Sequence, residues 1–162
     1  MNPGLRNMTS LFFCREDGLL CLYRIGSRVA NRKYVGACGG HFEEPELSSP
    51  EACVLREMEE ELGLRPEDIE GLTLRYMTVR YMGQEIRQNY YFFARLKGER
   101  SLSSTEGELR FFTWEELKTL DMPVSARHMM DHYLAVGRFD QNRYAGITEP
   151  GGSRFVKLQS FD

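Results

Sequence analysis

Apolar and polar positions alternate from the start of the chain. Thr9–Cys14 and Leu19–Arg24 read as two strands. Arg15-Glu16-Asp17-Gly18 joins them, and Asp-Gly is a hairpin turn signal. Ile25–Lys33 is polar and basic and reads as a loop, and Tyr34–Cys38 as a short strand ending in Gly39-Gly40. The period then changes. Ala52, Leu55, Met58 and Leu62 recur at helical spacing. Ser49 suits an N-cap, Pro50 the first helical position and Gly63 a C-cap, which predicts a helix over Pro50–Leu62. Leu72–Met82 and Glu85–Leu96 alternate again and are rich in Tyr, Phe, Val and Thr, so Gly83-Gln84 joins a second hairpin. After a Ser/Thr/Gly loop at Ser101–Gly107 come a short strand (Leu109–Thr113), a short helix (Trp114–Leu117) and a longer helix (Pro123–Val136). Pro150-Gly151-Gly152 predicts a turn between Tyr144–Ile147 and Phe155–Leu158, a C-terminal β-hairpin.

Composition narrows the class. A chain of 162 residues fits one domain, and 41% hydrophobic with 28% charged residues is ordinary for a globular protein. The net charge of −3 argues against a nucleic-acid partner. No apolar run approaches the roughly 20 residues of a membrane span. Leu11–Cys14 is broken by Arg15, Glu16 and Asp17, unlike the core of a secretion signal. Cys14, Cys21, Cys38 and Cys53 lack CxxC spacing and read as reduced thiols, which points to a cytoplasmic location.

The chemistry lies in the helix over Pro50–Leu62. Glu57, Glu60 and Glu61 stand at i, i+3 and i+4 and share one face, with Ala52, Leu55, Met58 and Leu62 on the other. Like charges at this spacing repel. Either the face is a solvated Glu-rich surface, or a divalent cation relieves the repulsion. An all-oxygen donor set favours Mg²⁺ or Mn²⁺ over zinc. The Gly39-Gly40 pair lets backbone approach a ligand closely, and a glycine loop before a carboxylate helix suits a metal–phosphate site.

Gly40-His-Phe-Glu-Glu-Pro-Glu46, followed by Arg56-Glu57-Met58-Glu59-Glu60-Glu61-Leu62-Gly63-Leu64, resembles the Nudix box, G-x5-E-x7-R-E-U-x-E-E-x-G-U with U aliphatic. Gly40, Glu46, Arg56, Glu57, Met58, Glu60, Glu61, Gly63 and Leu64 match it. The spacer departs: nine residues separate Glu46 from Arg56 instead of seven, with the insertion in Leu47-Ser48-Ser49 ahead of the helix. A loop absorbs such length cheaply, and the glutamate register is untouched. The element order over about residues 8–137 agrees with the resemblance.

The resemblance implies an α/β Nudix-type α/β/α sandwich with a mixed sheet. Residues 1–137 form the Nudix domain, and 138–162 a C-terminal extension packed on it. It implies a hydrolase that breaks a pyrophosphate bond in a nucleoside diphosphate linked to another moiety, with Mg²⁺ or Mn²⁺ as cofactor. Glu57, Glu60 and Glu61 match the ion-holding glutamates, and the Gly39 carbonyl matches a backbone ligand. Arg56 orients the box carboxylates or serves as a structural ion pair. Glu60 is the first candidate for the catalytic base. Glu106, in Thr105-Glu106-Gly107, resembles the outlying glutamate of MutT-type enzymes and is the rival base and a further ligand; Glu108 is its neighbour and competitor. Arg24 stands where related sequences place a phosphate-binding arginine, and Arg28, Arg32 and Lys33 make the next loop basic.

The substrate is less constrained. Arg87, Asn89, Tyr91 and Phe93 share one strand face, either a surface that binds a base or a half-exposed sheet face. Asp121 and Ser125 stand near the last helix, where MutT-type enzymes read an oxidised guanine, but no Asn does. Tyr81 lies 17 residues after Leu64, a spacing similar to that of diadenosine polyphosphate hydrolases. The first expectation is a modified nucleoside triphosphate such as 8-oxo-dGTP, cleaved to monophosphate and pyrophosphate. Dinucleoside polyphosphates, ADP-ribose and nucleotide sugars are alternatives, as is a non-catalytic nucleotide-sensing module, although the intact glutamates speak for an enzyme. The expected partner is a small nucleotide, with no nucleic acid and no membrane; a homodimer stays open. His128 and His132, at i and i+4, read as an exposed helix face, and Cys53 as a small packing residue beside Glu57.

Overall fold

The order of elements along the chain follows the alternation and helical periods closely. The computed structural model describes residues 2–26 and 31–159. Its strands are β1 (Gly4–Arg15), β2 (Gly18–Arg24), β3 (Lys33–Gly36), β4 (Ile69–Tyr81), β5 (Glu85–Leu96), β6 (Gly107–Thr113), β7 (Arg143–Glu149) and β8 (Gly152–Leu158). Its helices are α1 (Pro50–Leu62), α2 (Trp114–Leu117) and α3 (Val124–Ala135). The basic loop was expected to include Arg28, which lies outside the described residues.

The strands form one mixed sheet in the order β3-β2-β1-β5-β4-β7-β8, with β6 also paired to β2. β1 runs parallel to β5 and β4 parallel to β7; the other pairings are antiparallel. β1 begins earlier than its alternation indicates, because Gly4–Met8 is held in register against Glu85–Asn89. The first turn is Glu16-Asp17, with Gly18 already in β2 opposite Arg15.

Alternate side chains of β1 feed two cores. Leu11 and Phe13 pack with Val54 and Met58 of α1 on one face. Phe12 packs with Met129 and Met130 of α3 on the other. The result is the expected α/β/α sandwich. The C-terminal hairpin adds β7 and β8 to the sheet beyond β4, through pairs such as Tyr76 with Tyr144. It also covers α3. The His132 Nδ1 lies 2.7 Å from the Tyr76 hydroxyl, its ring 4.9 Å from Phe155, and the His128 Nδ1 2.8 Å from the Ser153 hydroxyl. The histidine pair is therefore not an exposed face, because β8 lies over it. Buried Arg75 secures the approach to the hairpin, donating to the carbonyls of Asn142 and Gly137 and pairing with Asp140. Among the described residues no helix is long and apolar enough to cross a membrane, and the four cysteines are free thiols.

Candidate active site

α1 forms where its end signals place it. The Ser49 hydroxyl accepts from the Ala52 N–H at 3.2 Å, Pro50 opens the first turn, and Gly63 closes the helix in the left-handed region at φ 67°. The packed face follows the spacing at Leu55, Met58 and Leu62 and departs from it at Ala52, where Cys53 and Val54 pack instead. Cys53, Val54 and Met58 are buried, whereas Ala52 is exposed. The three glutamates consequently part company. Glu57 (side chain 13% exposed) and Glu61 lie at the sheet-facing edge, while Glu60 (57%) points outward.

The glycine pair brings β1 and α1 together. Gly39 has φ 146°, and a Cβ there would strike the Thr9 carbonyl. A Cβ on Gly40 would lie 2.5 Å from Glu57 Oε1. The Gly39 N–H donates to Glu61 Oε2 at 3.3 Å, and the Gly40 carbonyl accepts from the Thr9 N–H at 2.8 Å. No hydrogen bond among the described residues ends on the Gly39 carbonyl. Cys53 packs into this junction, its sulfur 3.5 Å from Thr9 Oγ1 and 3.7 Å from the Gly40 carbonyl. Burial pushes its thiol up to about 11.

Arg56 ties the motif together. Its Nε and Nη2 donate to the two oxygens of Glu46, its Nη1 donates to Glu57 and Glu60 at 3.0 Å each, and Nη2 also reaches the His41 carbonyl. The hydrogen bonds from Arg56 hold Glu46 down at about 2. A 3-10 turn over Glu44–Glu46 places Glu46, and the long spacer is taken up in Leu47-Ser48 before the Ser49 cap, leaving Glu46 buried and bound.

Beside this hub, on the α3 face of the sheet, lies a cleft of about 290 Å³. Gly39, Glu61 and Glu106 stand at one end, and Arg87, Asn89 and Tyr91 line another wall. Arg24 also lines it, with Nη2 3.8 Å from Glu106 Oε2. Glu57, Glu60 and Arg56 do not line it, although Glu57 adjoins Glu61. Lys33 lines it and pairs with Asp121 at 2.8 Å; Asp121 itself stays outside, and Ser125 lines it. Glu108 faces solvent beside Arg110, and Tyr81 is exposed on its own hairpin, donating to the Gly83 carbonyl. Phe93 belongs to the core. Sequence reasoning missed Arg80 and Met8 of the cleft lining; the period-two pattern of β4 and β1 was the signal available for them.

Glu61 is pushed up to about 8, by burial first and then by the charge of Glu57, with Glu106 adding to it. Folding has thus gathered carboxylates whose charges oppose the ionisation of Glu61. Their donors are oxygens, together with the free Gly39 carbonyl, which suits a hard divalent cation. No three His, Cys, Asp or Glu side chains among the described residues form a closed cage. Mg²⁺ needs none, since it commonly takes one or two carboxylates and completes its shell with water and phosphate oxygens. The residues present fit such an ion.

A mixed sheet between helices and a glutamate helix against a glycine pair define a Nudix fold. The Nudix domain pattern matches residues 5–133, and the chain belongs to the Nudix hydrolase family, whose members act on small nucleotides and generally use divalent metal ions. Among solved structures, it is similar to a MutT protein from Bacillus halodurans, at 20% identity over 93% of this chain and 97% of that one, with a TM-score of 0.67. It is also similar to a C. elegans Ap4A hydrolase (12% identity, 82% and 98% covered, TM-score 0.65). An ADP-ribose pyrophosphatase from Streptococcus suis gives 16%, 88% and 98%, and 0.60. At these identities the likeness establishes the fold. No curated protein sequence matches the chain.

Proposed function

We propose that the protein is a Mg²⁺- or Mn²⁺-dependent pyrophosphohydrolase of nucleotides. The observation that carries this reading is the division of one cleft between a carboxylate end, at Gly39, Glu61 and Glu106, and a wall of Arg87, Asn89 and Tyr91. Glu61, Glu106 and the Gly39 carbonyl, with Glu57 adjoining them, would hold the ion; Glu60, expected as a further ligand, points outward beside Arg56. When bound there, such an ion supplies charge neutralisation and polarisation of phosphoryl oxygens. Arg24 binds a phosphate, and Asn89 and Tyr91, with Arg87 beside them, line the wall that receives the rest of the nucleotide. Arg56 positions the box carboxylates. Glu106 takes the proton of the attacking water in preference to Glu60, because Glu106 faces the cleft and Glu60 faces Arg56.

The first substrate to test is a modified triphosphate such as 8-oxo-dGTP; dinucleoside polyphosphates, ADP-ribose and nucleotide sugars complete the panel. Wild-type protein is assayed with Mg²⁺ beside Glu106→Gln and Glu60→Gln. The expected result is turnover of at least one compound, a fall in kcat of about 10²–10⁴ in Glu106→Gln, and a smaller fall in Glu60→Gln. Tight nucleotide binding without turnover of any compound would replace the enzyme by a sensor. The reverse ranking of the variants would make Glu60 the base.

A further inference from the structure

A row of like charges runs across three strands of the sheet beside the cleft. Arg6 of β1 pairs in register with Arg87 of β5, and Arg87 with Arg80 of β4. Period two puts all three on one face of the sheet, the face that carries Met8, Asn89 and Met82 into the cleft, and Arg80 and Arg87 themselves line it. Like charges directly opposite one another on neighbouring strands destabilise a sheet, so folding alone gives no reason for the row. One carboxylate serves it. Glu85 Oε2 accepts from Arg87 Nε at 2.5 Å and from Arg6 Nη1 at 3.5 Å. Arg80 makes no side-chain hydrogen bond or ion pair among the described residues. Its strand neighbour on the other side is Thr148, which is uncharged.

The row stands well away from the carboxylate end. Arg24 on β2 and Arg80 on β4 are separated by β1 and β5, three strand spacings or roughly 14 Å across the sheet. Within the protein Arg80 has no counter-charge among the described residues, while Arg87 shares the single carboxylate of Glu85 with Arg6.

We infer that Arg80 and Arg87 form a second anion subsite, which takes a phosphate group of the substrate separate from the pyrophosphate bond that is broken. The planar guanidinium fork matches phosphate oxygens with paired hydrogen bonds. The substrate class is then a nucleotide with an additional phosphomonoester on the part that lies toward Arg80 and Arg87. This rests on the hydrolase reading above for what occupies the carboxylate end. A row that merely steered anions would act differently, favouring every anion alike and fading with salt.

The test uses the full chain with Mg²⁺ and saturating α,β-methylene-ADP, which fills the carboxylate end without being hydrolysed. Inorganic phosphate is then titrated while the arginine Nε–H signals are followed by NMR. Saturable shifts at Arg80 and Arg87 are expected. The phosphate Kd should rise by at least about tenfold in Arg80→Gln and recover in part in Arg80→Lys. Ligand-free Arg80→Gln should melt no lower than wild type, which shows that the variant is folded. Shifts that never saturate, shifts spread equally to the distant Arg143 and Arg154, or the same Kd in Arg80→Gln would each overturn the subsite. Hydrolysis by the wild type separates the two failures. Turnover without a phosphate subsite overturns only this inference, whereas a phosphate subsite without turnover of any nucleotide overturns the hydrolase reading.

Discussion

Arg56 holds the Glu46 carboxylate with two nitrogens, at 2.5 and 3.1 Å, across a spacer longer than the family pattern allows. The extra residues lie outside the ion pair, in the turn that ends at the Ser49 cap. The same guanidinium reaches Glu57 and Glu60, so the grip on Glu46 also fixes the direction from which Arg56 meets the helix carboxylates.

Glu46→Gln keeps the shape and removes the charge. It should lower stability by about 2 kcal/mol in urea unfolding, the scale of a hydrogen bond to a charged partner. Arg56→Ala should cost more, about 3–5 kcal/mol, because it leaves Glu46 buried and unpaired. Equal midpoints for wild type and both variants would show that the pair contributes nothing to stability.

Acid should act through the same pair. Glu46 is lowered from 4.5 to about 2 in the folded protein. Its ionisation therefore stabilises the fold above pH 4.5, and that contribution is lost as pH falls from 4.5 towards 2. Urea midpoints measured at pH 6, 4 and 3 should fall more steeply in wild type than in Glu46→Gln. Parallel curves would assign the acid sensitivity to other groups.

Added Mg²⁺ should raise the melting temperature, because it relieves the opposition of Glu57, Glu61 and Glu106. At a concentration about 100 times its Kd, an ion that binds only the folded state adds about 2.7 kcal/mol. Glu61→Gln should melt higher than wild type without the ion and gain less when it is added. A gain undiminished in Glu61→Gln would move the ion to other ligands.

How much of this was legible depends on the range of the interactions. α1 was readable to the residue because its signals are local: Ser49-Pro50 at one end and Gly63 at the other. The C-terminal hairpin followed from Pro150-Gly151-Gly152 for the same reason. On the packed face of α1, Leu55, Met58 and Leu62 were readable from their spacing and Ala52 was not. Cys53 meets the Gly40 carbonyl where α1 approaches β1, a contact between distant segments, while Ala52 and Glu60 face solvent. The early start of β1, the cover over His128 and His132, and the Arg6–Arg87–Arg80 row all come from strand register between distant segments. No local pattern carries that information.

The extension over 138–162 is proposed to fold as one unit with the rest, since Tyr144 stacks on Tyr76 with ring centroids 5.3 Å apart and is buried. Tyr144→Ala should cost about 3–5 kcal/mol, the usual range for emptying a buried aromatic site, and leave a single unfolding transition. Two separated transitions by calorimetry would make the hairpin an independent appendage.

The parallel pairing of β1 with β5 also dictates an order of events in time. Its register joins Gly4–Phe13 to Glu85–Ala94, residues from opposite halves of the chain. The central ladder cannot close before β5 has been synthesised, and β7 cannot dock on β4 until later still. Until then the apolar stretch Leu11–Phe13 lacks its central partner, an open edge of the kind that invites association between chains. Such non-local closure places the protein among slow folders.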